Sequence, residues 1–255
     1  MEKKTTEKKL RKFNMMMGVV HLFQGILVLI LSTDFTLPIR YTYLKFDTAT
    51  ETLVPVVRTL TDVPIGPVVA LFLFISAAAH LLISTVLFKK YVINLRKERN
   101  PYRWYEYSVS ASLMIVLIAM LTGIYDLGTL VALFGLTAAM NLCGLLMEKM
   151  NVQRKGADWS PFWIGCLAGL IPWIAIAVSL LGASVVSGGQ VPDFVIAIYI
   201  SIAVFFNLFV VNMVLQYKEV GKWKDYLYGE RMYIVLSLVA KSALAWQVFA
   251  GTLRP

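Results

Sequence analysis

A lysine lies in the middle of an apolar stretch near the end of the chain. Residues 234–249 read IVLSLVAKSALAWQVF, with Lys241 at the centre. A cation at the centre of a membrane helix costs about 2.5 to 3.5 kcal/mol on insertion scales, so it is seldom present without a task. A desolvated lysine can lose its proton and condense with an aldehyde. The protonated imine that results needs a carboxylate close by.

Glu106 is the acidic residue that matches this need. When the charges are sorted by loop, Lys241 and Glu106 are left as the one cation and the one anion expected inside the membrane. At 1.5 Å per residue, Glu106 lies about 9 Å into the third apolar run and Lys241 about 16 Å into the seventh. A helical lysine side chain leans toward the helix N-terminus by up to about 6 Å, so the two groups are expected to pair.

The histidines fall at a similar depth. His21 on the first run and His80 on the second lie about 13 Å from the same membrane edge, so we expect all four titratable groups in one polar cluster. A structural ion pair with two packing histidines is the alternative to a reactive lysine.

The elements that must position these residues are membrane helices. The chain is 58% hydrophobic and 15% charged, which is typical of integral membrane proteins. Its net charge of +9 indicates topology and contact with membrane lipid, not a nucleic-acid patch. Cys143 and Cys166 lie in apolar runs and offer no disulfide framework.

Seven apolar runs are long enough to span a bilayer, which predicts an all-α membrane protein with a seven-transmembrane-helix bundle. Prolines at the starts of four runs support those boundaries. We expect one domain over 1–255, with a basic arm at 1–13. The runs are 14–33, 64–88, 101–123, 127–147, 160–186, 192–216 and 230–251.

Lysine and arginine are sorted between the two sides. The N-terminal arm, the loop KKYVINLRKERNPYR and the loops that follow the fourth and sixth runs are basic, whereas the other side carries few cations and more acids. The positive-inside rule therefore predicts a multi-pass cell-membrane protein with a cytoplasmic N-terminus and an extracellular C-terminus.

An extracellular β-hairpin is predicted over 34–63, between the first two helices. From Phe35 to Tyr43 apolar and polar residues alternate with strand period, and DTATE supplies a turn. Pro38 and Pro55 exclude a central strand. The apolar face of the hairpin must be buried on its own bundle or on a second protomer.

The third run carries a recognisable stretch, RWYEYSVSASLM, in which Arg103 stands three residues before Glu106. With Lys241 on the seventh run, this arrangement resembles the microbial-type rhodopsins, which bind retinal on a helix-seven lysine and place the counterion on helix three. The predicted orientation, the long strand-like loop and Ser237 four residues before the lysine resemble the heliorhodopsin branch. His21 and His80 fit its pair of intramembrane histidines, and the resemblance covers the whole chain.

The resemblance implies a cofactor and a site. All-trans retinal would form a protonated Schiff base with Lys241, with Glu106 as counterion. His21, His80, Ser237 and Ser110 would form the polar, proton-accepting cluster near it, although back-bonding of the serines to their helices is equally consistent with the sequence. The usual tryptophans on helix six are absent. The implied retinal pocket contains Tyr107, Met140, Gly144, Trp163, Phe206, Phe209 and Met213.

The implied function is a light sensor: isomerisation from all-trans to 13-cis would drive a signalling change without steady ion pumping. The position eleven residues after Glu106, where proton pumps place a donor, is Leu117. A homodimer through the hairpin and an unknown cytoplasmic signalling partner are expected. No catalytic residues or metal ligands are legible, so we expect no enzyme. A light-driven ion pump or channel and a non-photoactive transporter remain the alternatives.

Overall fold

The computed structural model describes residues 2–152, 156–186, 188 and 191–253. Within this part of the chain, seven helices are long and apolar enough to cross a membrane, and a two-stranded antiparallel hairpin follows the first. The predicted fold class is confirmed. The elements are α1 Glu2–Leu31, β1 Thr36–Asp47, β2 Thr52–Pro64, α2 Ile65–Ser84, α3 Phe88–Leu95, α4 Pro101–Leu121, α5 Leu127–Met150, α6 Ser160–Val186, α7 Asp193–Tyr217 and α8 Tyr226–Val248, which continues as a π-helical turn to Leu253.

Two segments near the N-terminus differ from the prediction. The segment predicted as a basic arm is helical from Glu2 and continues directly into the first span, because lysine and glutamate are good helix formers. The second span ends at Ser84, and α3 follows where a loop was predicted. The α3 helix forms because its buried residues, Tyr91 and Leu95, are four apart and share one face.

The start of α1 and the end of the last helix lie at opposite ends of the bundle. The Thr33 amide after α1 donates to the Leu253 carbonyl at the end of α8, and the Arg40 amide of β1 donates to the carbonyl of Tyr125 after α4. We call this end, which carries β1 and β2, the hairpin end. The opposite end, which carries the start of α1 and α3, is called the N-terminal end.

The hairpin is anchored at its base and exposed at its tip. Phe35, Leu37 and Val63 pack against the main apolar core, and the register shifts after Ile39. Toward the turn at residues 48–51 the apolar side chains are exposed. The base is therefore buried on the bundle of its own chain. The exposed apolar residues of the tip are Leu44, Phe46, Leu53, Val57 and Leu60.

The helices α1 and α2 approach closely at three glycines. A Cβ on Gly18 would lie 2.9 Å from the Leu81 side chain, and one on Gly66 would lie 2.7 Å from Ser32. Between them, Gly25 faces the ring of Phe74. Small residues at such contacts let helix backbones pack tightly in a membrane.

The two halves of the bundle differ in polarity. The hairpin-end half contains the main apolar core, which includes Phe72, Leu117 and Leu244, all fully buried. Toward the N-terminal end the interior contains polar and aromatic side chains. The polar interior is where the candidate site lies.

Candidate functional site

Lys241 and Glu106 form a buried ion pair. Lys241 Nζ donates to Glu106 Oε1 at 2.7 Å, and the two side chains are 4% and 8% exposed. The helices α4 and α8, which carry them, bring together residues 135 positions apart. The pairing expected from helix geometry is present in the structure.

Two serines complete the coordination of this pair. Lys241 Nζ also donates to Ser237 Oγ at 3.1 Å, one turn earlier on α8. Ser76 on α2 donates to Glu106 Oε1 at 2.7 Å. Sequence reasoning missed Ser76, because a serine in an apolar run is most often satisfied by its own helix, as this hydroxyl also is through the Phe72 carbonyl.

The two histidines are stacked beside the pair. The rings of His21 and His80 lie 5.7 Å apart between centroids and 9° from parallel. His80 Nδ1 is hydrogen-bonded to Asn14 Oδ1 at 2.8 Å. Both ring nitrogens of His21 are buried without a hydrogen-bond partner in the described part of the chain. His21 therefore retains unused capacity to donate or accept a proton.

Ser110 lies one turn beyond Glu106 on α4 and is fully buried. Among the described residues its hydroxyl has no hydrogen-bond partner that meets normal geometry. The structure thus places Ser110 beside the pair without the back-bond to its own helix that was the alternative.

A cavity of about 500 Å³ extends from Lys241 between α4, α5, α6, α7 and α8. Its walls are mainly apolar and aromatic, and the volume falls in the range of about 300 to 1,000 Å³ typical of small-molecule sites. Ser237 lines the cavity beside Lys241. Six residues of the pocket that the resemblance implied also line it: Tyr107, Met140, Gly144, Phe206, Phe209 and Met213.

Trp163 does not line this cavity. Its side chain is 67% exposed on the outside of the bundle, and the preceding residue, Phe162, lines the cavity instead. Neighbouring residues on a helix point about 100° apart, so a shift of one position exchanges an inward residue for an outward one. The prediction of Trp163 as a pocket residue is corrected to Phe162.

Besides Phe162, three aromatic residues of the wall were not predicted: Trp104, Trp173 and Tyr199. Trp104 lies next to Gly144, where a Cβ would overlap the indole ring, so the missing side chain makes room for the tryptophan. At the α6 and α7 side, Trp173 packs edge to face on Tyr199 and Phe206 at 5.6 and 5.4 Å. Trp173 directly follows Pro172, a proline within a helix, and that is a sequence signal which could have drawn attention to it.

A second buried charge cluster lies nearer the N-terminal end. Arg103 forms ion pairs with both Glu148 and Glu230, and all three side chains are 4% exposed or less. This corrects the expectation of a single cation and a single anion in the membrane. Arg103 and Glu148 fall in the first and last turns of their helices and Glu230 is the fifth residue of α8, and charge counting assigned all three to the loops.

Fixed donors surround the two carboxylates of this cluster. Glu148 accepts from the Asn100 amide at 2.7 Å and from the Tyr226 hydroxyl at 3.3 Å. Glu230 accepts from Asn100 Nδ2 at 2.7 Å and from the Tyr91 hydroxyl at 3.0 Å. Arg103 matches the family pattern of an arginine three residues before the counterion. In the structure its guanidinium pairs with Glu148 and Glu230.

Comparison with known proteins gives one family and no close curated relative. The heliorhodopsin family model matches residues 10–253, which is nearly the whole chain. A search of the curated proteins gives no match. The matched region contains six of the seven spans whole, the first span from residue 10 onward, and every residue of the site described above. The chain therefore belongs to the heliorhodopsin family, and it is a multi-pass membrane protein of the retinal-binding rhodopsin type.

Proposed function

We propose that Lys241 Nζ is the covalent attachment point of all-trans retinal, that Glu106 is its counterion, and that the protein is a light sensor that signals by a conformational change. One observation supports this above the others. The Lys241 and Glu106 side chains form a 2.7 Å ion pair at the end of an apolar cavity of about 500 Å³.

The residues present suit an elongated apolar aldehyde. Trp104, Phe209 and Met213 give the cavity walls that a polyene can pack against, and Lys241 supplies an amine at one end. When bound, retinal supplies absorption of visible light and isomerisation to the 13-cis form. Gly144 and Gly169 leave space for Trp104 and Met140, because a Cβ on either glycine would overlap the neighbouring side chain.

The side chains near Lys241 hold and move one proton. Glu106 balances the positive charge on the attached Nζ, while Ser76 holds the carboxylate in place. Ser237 offers Nζ a second acceptor. When light weakens the hold of Nζ on its proton, the proton can pass to the Glu106 carboxylate or to the stacked histidines beside it.

Steady ion transport is not part of the proposed function. Beyond Lys241 toward the hairpin end the main core is apolar, the buried residues that the structure describes there include no carboxylate, and Leu117 is fully buried. A pump needs a relay with access to both sides. Illuminated vesicles are expected to show no sustained change in pH, and a sustained change that a protonophore abolishes would contradict this.

The topology and partners are part of the same proposal. We infer that residues 1–255 form one domain and that the N-terminal end faces the cytoplasm, where α3 and the basic loops would meet a signalling partner, because lysine and arginine concentrate there. The heliorhodopsins are not a classical enzyme family, and we propose no enzymatic activity for this chain. Protease protection of tags at the two termini in intact cells tests the orientation.

A homodimer through the hairpin is supported by the exposed apolar tip. An exposed apolar edge strand favours pairing with another chain. Leu44 and Val57 are 62% and 58% exposed, and neither is among the described residues that pack against the main apolar core. The double substitution Leu44→Asp with Val57→Asp is expected to convert dimers to monomers in detergent. Dimers of unchanged strength would count against the hairpin.

The first experiment is a visible spectrum of membranes that contain the protein and all-trans retinal. We expect a visible band with the natural chain, none with Lys241→Ala, and an unchanged band with Lys218→Ala, which alters an exposed lysine. Hydroxylamine in the light should bleach the band because it attacks the imine. A band of equal strength in Lys241→Ala would refute covalent attachment at this residue.

A further inference from the structure

A continuous chain of buried side chains joins the Lys241 site to the short helix α3. It runs from His80 to Asn14, then to Tyr91, and ends at Glu230 in the second charge cluster. The links are His80 Nδ1 to Asn14 Oδ1 at 2.8 Å, Asn14 Nδ2 to Tyr91 Oη at 3.4 Å and Tyr91 Oη to Glu230 Oε1 at 3.0 Å. Asn14, Tyr91 and Glu230 are each 1% exposed or less.

The donor and acceptor of each link are determined by the chemistry. Asn14 Nδ2 donates to the Leu10 carbonyl at 3.0 Å, and a carbonyl can only accept, so the amide orientation of Asn14 is fixed. Asn14 Oδ1 must then accept from His80, which places a proton on His80 Nδ1. In the neutral ring His80 Nε2 is therefore the nitrogen that can take up a second proton.

Tyr91 is a donor in the last link. Burial and the neighbouring Glu230 carboxylate raise the pKa of Tyr91 well above its ordinary value, so its hydroxyl remains protonated. The hydroxyl receives a hydrogen bond from Asn14 and gives one to Glu230. All the donors along the chain therefore point in one direction, from His80 toward Glu230.

Asn14 prevents this chain from conducting protons. A side-chain amide has no proton that it can release at ordinary pH, so a proton that arrives on His80 cannot pass through Asn14. A positive charge on His80 instead strengthens its bond to Asn14 and polarises the bonds that follow. The chain can carry a change of hydrogen bonding to α3 while the proton stays at the Lys241 site.

We propose that Asn14 and Tyr91 couple the protonation state of the Lys241 site to the conformation of α3. The change that light causes at Lys241 would then alter the surface of the N-terminal end through α3. Tyr91 is the buried anchor of α3, whose opposite face exposes Lys89, Lys90 and Ile93. A positive charge on His80 strengthens the Tyr91 bond to Glu230 through this chain and holds the anchor more firmly, whereas loss of that charge loosens it. Tyr91 acts through Asn14 and Glu230 and is a positioning residue.

A small cavity offers a competing route. It has a volume of about 30 Å³, enough for one or two water molecules, and lies between His80, Glu106 and the Arg103 and Glu230 side chains. A proton could reach Glu230 through water there without Tyr91. Removal of the Tyr91 hydroxyl distinguishes the two routes.

The test compares amide exchange of residues 88–95 in the dark and under light, by hydrogen–deuterium exchange of the retinal-loaded protein. We expect light to change exchange across α3 in the natural chain. In Tyr91→Phe the light-induced change in exchange should be smaller by about fivefold or more, at the lower end of typical coupling between sites. The visible band and its light-induced decay should persist, because Tyr91 does not line the retinal cavity.

Tyr102→Phe is the matched control. Tyr102 packs on the same apolar cluster as Tyr91 and lines the small cavity, so this variant also removes a hydroxyl near the second charge cluster. It should retain the natural light response of α3. Asn14→Leu breaks the same chain one link earlier and is measured if Tyr91→Phe does not fold.

Three results would overturn the coupling. In the first, Tyr91→Phe and Asn14→Leu respond as the natural chain does, which would favour the water route. In the second, the natural chain shows a photocycle but no change in α3. In the third, folded natural protein shows no visible band with retinal. This result would refute the proposed function, on which the coupling rests. The visible spectrum alone distinguishes it from the other two results.

Discussion

The two buried charge clusters contain similar charged groups but differ in what those groups can do. The Lys241 site pairs one lysine with one carboxylate beside a large cavity, and its neighbours include His21, whose ring nitrogens have no hydrogen-bond partner among the described residues. The second cluster holds Arg103 between two carboxylates that fixed donors surround. A guanidinium does not lose its proton in proteins, whereas a desolvated amine can.

This difference separates a reactive site from a structural one. Lys241 at the first site can lose its proton and form an imine with an aldehyde, and the adjacent cavity can hold that aldehyde. Arginine at the second site can do neither, but its planar donors hold α4, α5 and α8 at one point. The comparison predicts that substitutions in the second cluster affect stability, while those in the first affect the spectrum.

The largest effect on stability is expected from Arg103→Met. Loss of the guanidinium leaves Glu148 and Glu230 buried without their cation, which typically costs about 3 to 5 kcal/mol. Unfolding of the retinal-loaded protein, followed by loss of its visible band, measures this. Arg231→Met alters an exposed arginine over Phe13 and should cost less than about 1 kcal/mol. Equal losses in both variants would show that the cluster is not structural.

Glu106→Gln is expected to change the spectrum most among substitutions that keep retinal attached. Without a carboxylate at 2.7 Å, a positive charge on Lys241 Nζ has no buried partner of opposite sign, and the imine should lose its proton. The visible band should then convert largely to near-ultraviolet absorption at neutral pH. Glu148→Gln removes a carboxylate from the second cluster and should leave the band in place. Conversion in Glu148→Gln as well would abolish the distinction between the clusters.

Gly144→Ala should impair the cavity without altering either cluster. The added methyl group overlaps the Trp104 ring, which must move into the space proposed for retinal. Such overpacking typically costs about 1 to 3 kcal/mol, so the affinity of the apoprotein for retinal should fall about tenfold. Titration of the visible band measures it. Gly135→Ala on the same helix adds a methyl group in open space and should bind retinal normally.

The smallest effect is expected from Ser76→Ala. Loss of its hydrogen bond leaves more negative charge on Glu106 Oε1, which strengthens the pairing with Lys241 in the ground state. The visible band should move to shorter wavelength, by an excitation energy of less than about 3 kcal/mol. Ser112→Ala removes a buried hydroxyl bonded to the Ser108 carbonyl of its own helix and should cause no shift. A shift to longer wavelength would refute the role of Ser76.

The spans and the central pair could be predicted because their physical causes are local. Apolar length defines a membrane helix, and helix rise gives the depth of a side chain in it. These two rules placed Lys241 and Glu106 at one level, and the structure shows their side chains in contact. The hairpin followed from strand alternation and a turn.

The second cluster could not be predicted because its residues lie at helix ends. Arg103, Glu148 and Glu230 occur in segments with other charges, where a charge is ordinarily solvated. Whether such a residue points inward depends on how α4, α5 and α8 pack, which periodicity does not determine. The same limit explains the wrong prediction for Trp163. Periodicity does not determine which of two neighbouring residues on α6 faces the cavity, and in the structure it is Phe162.

The glycine contacts between α1 and α2 have a consequence for assembly of the protein during synthesis. Gly18, Gly25 and Gly66 lie against partners that belong to the first two membrane helices. The hairpin between these helices pairs strands that are adjacent in sequence, so this unit contains few distant contacts. It can pack once α2 has entered the membrane, before Glu106 and Lys241 are made. His21 on α1 and His80 on α2 would then already be stacked, and the remaining helices would assemble on this pair.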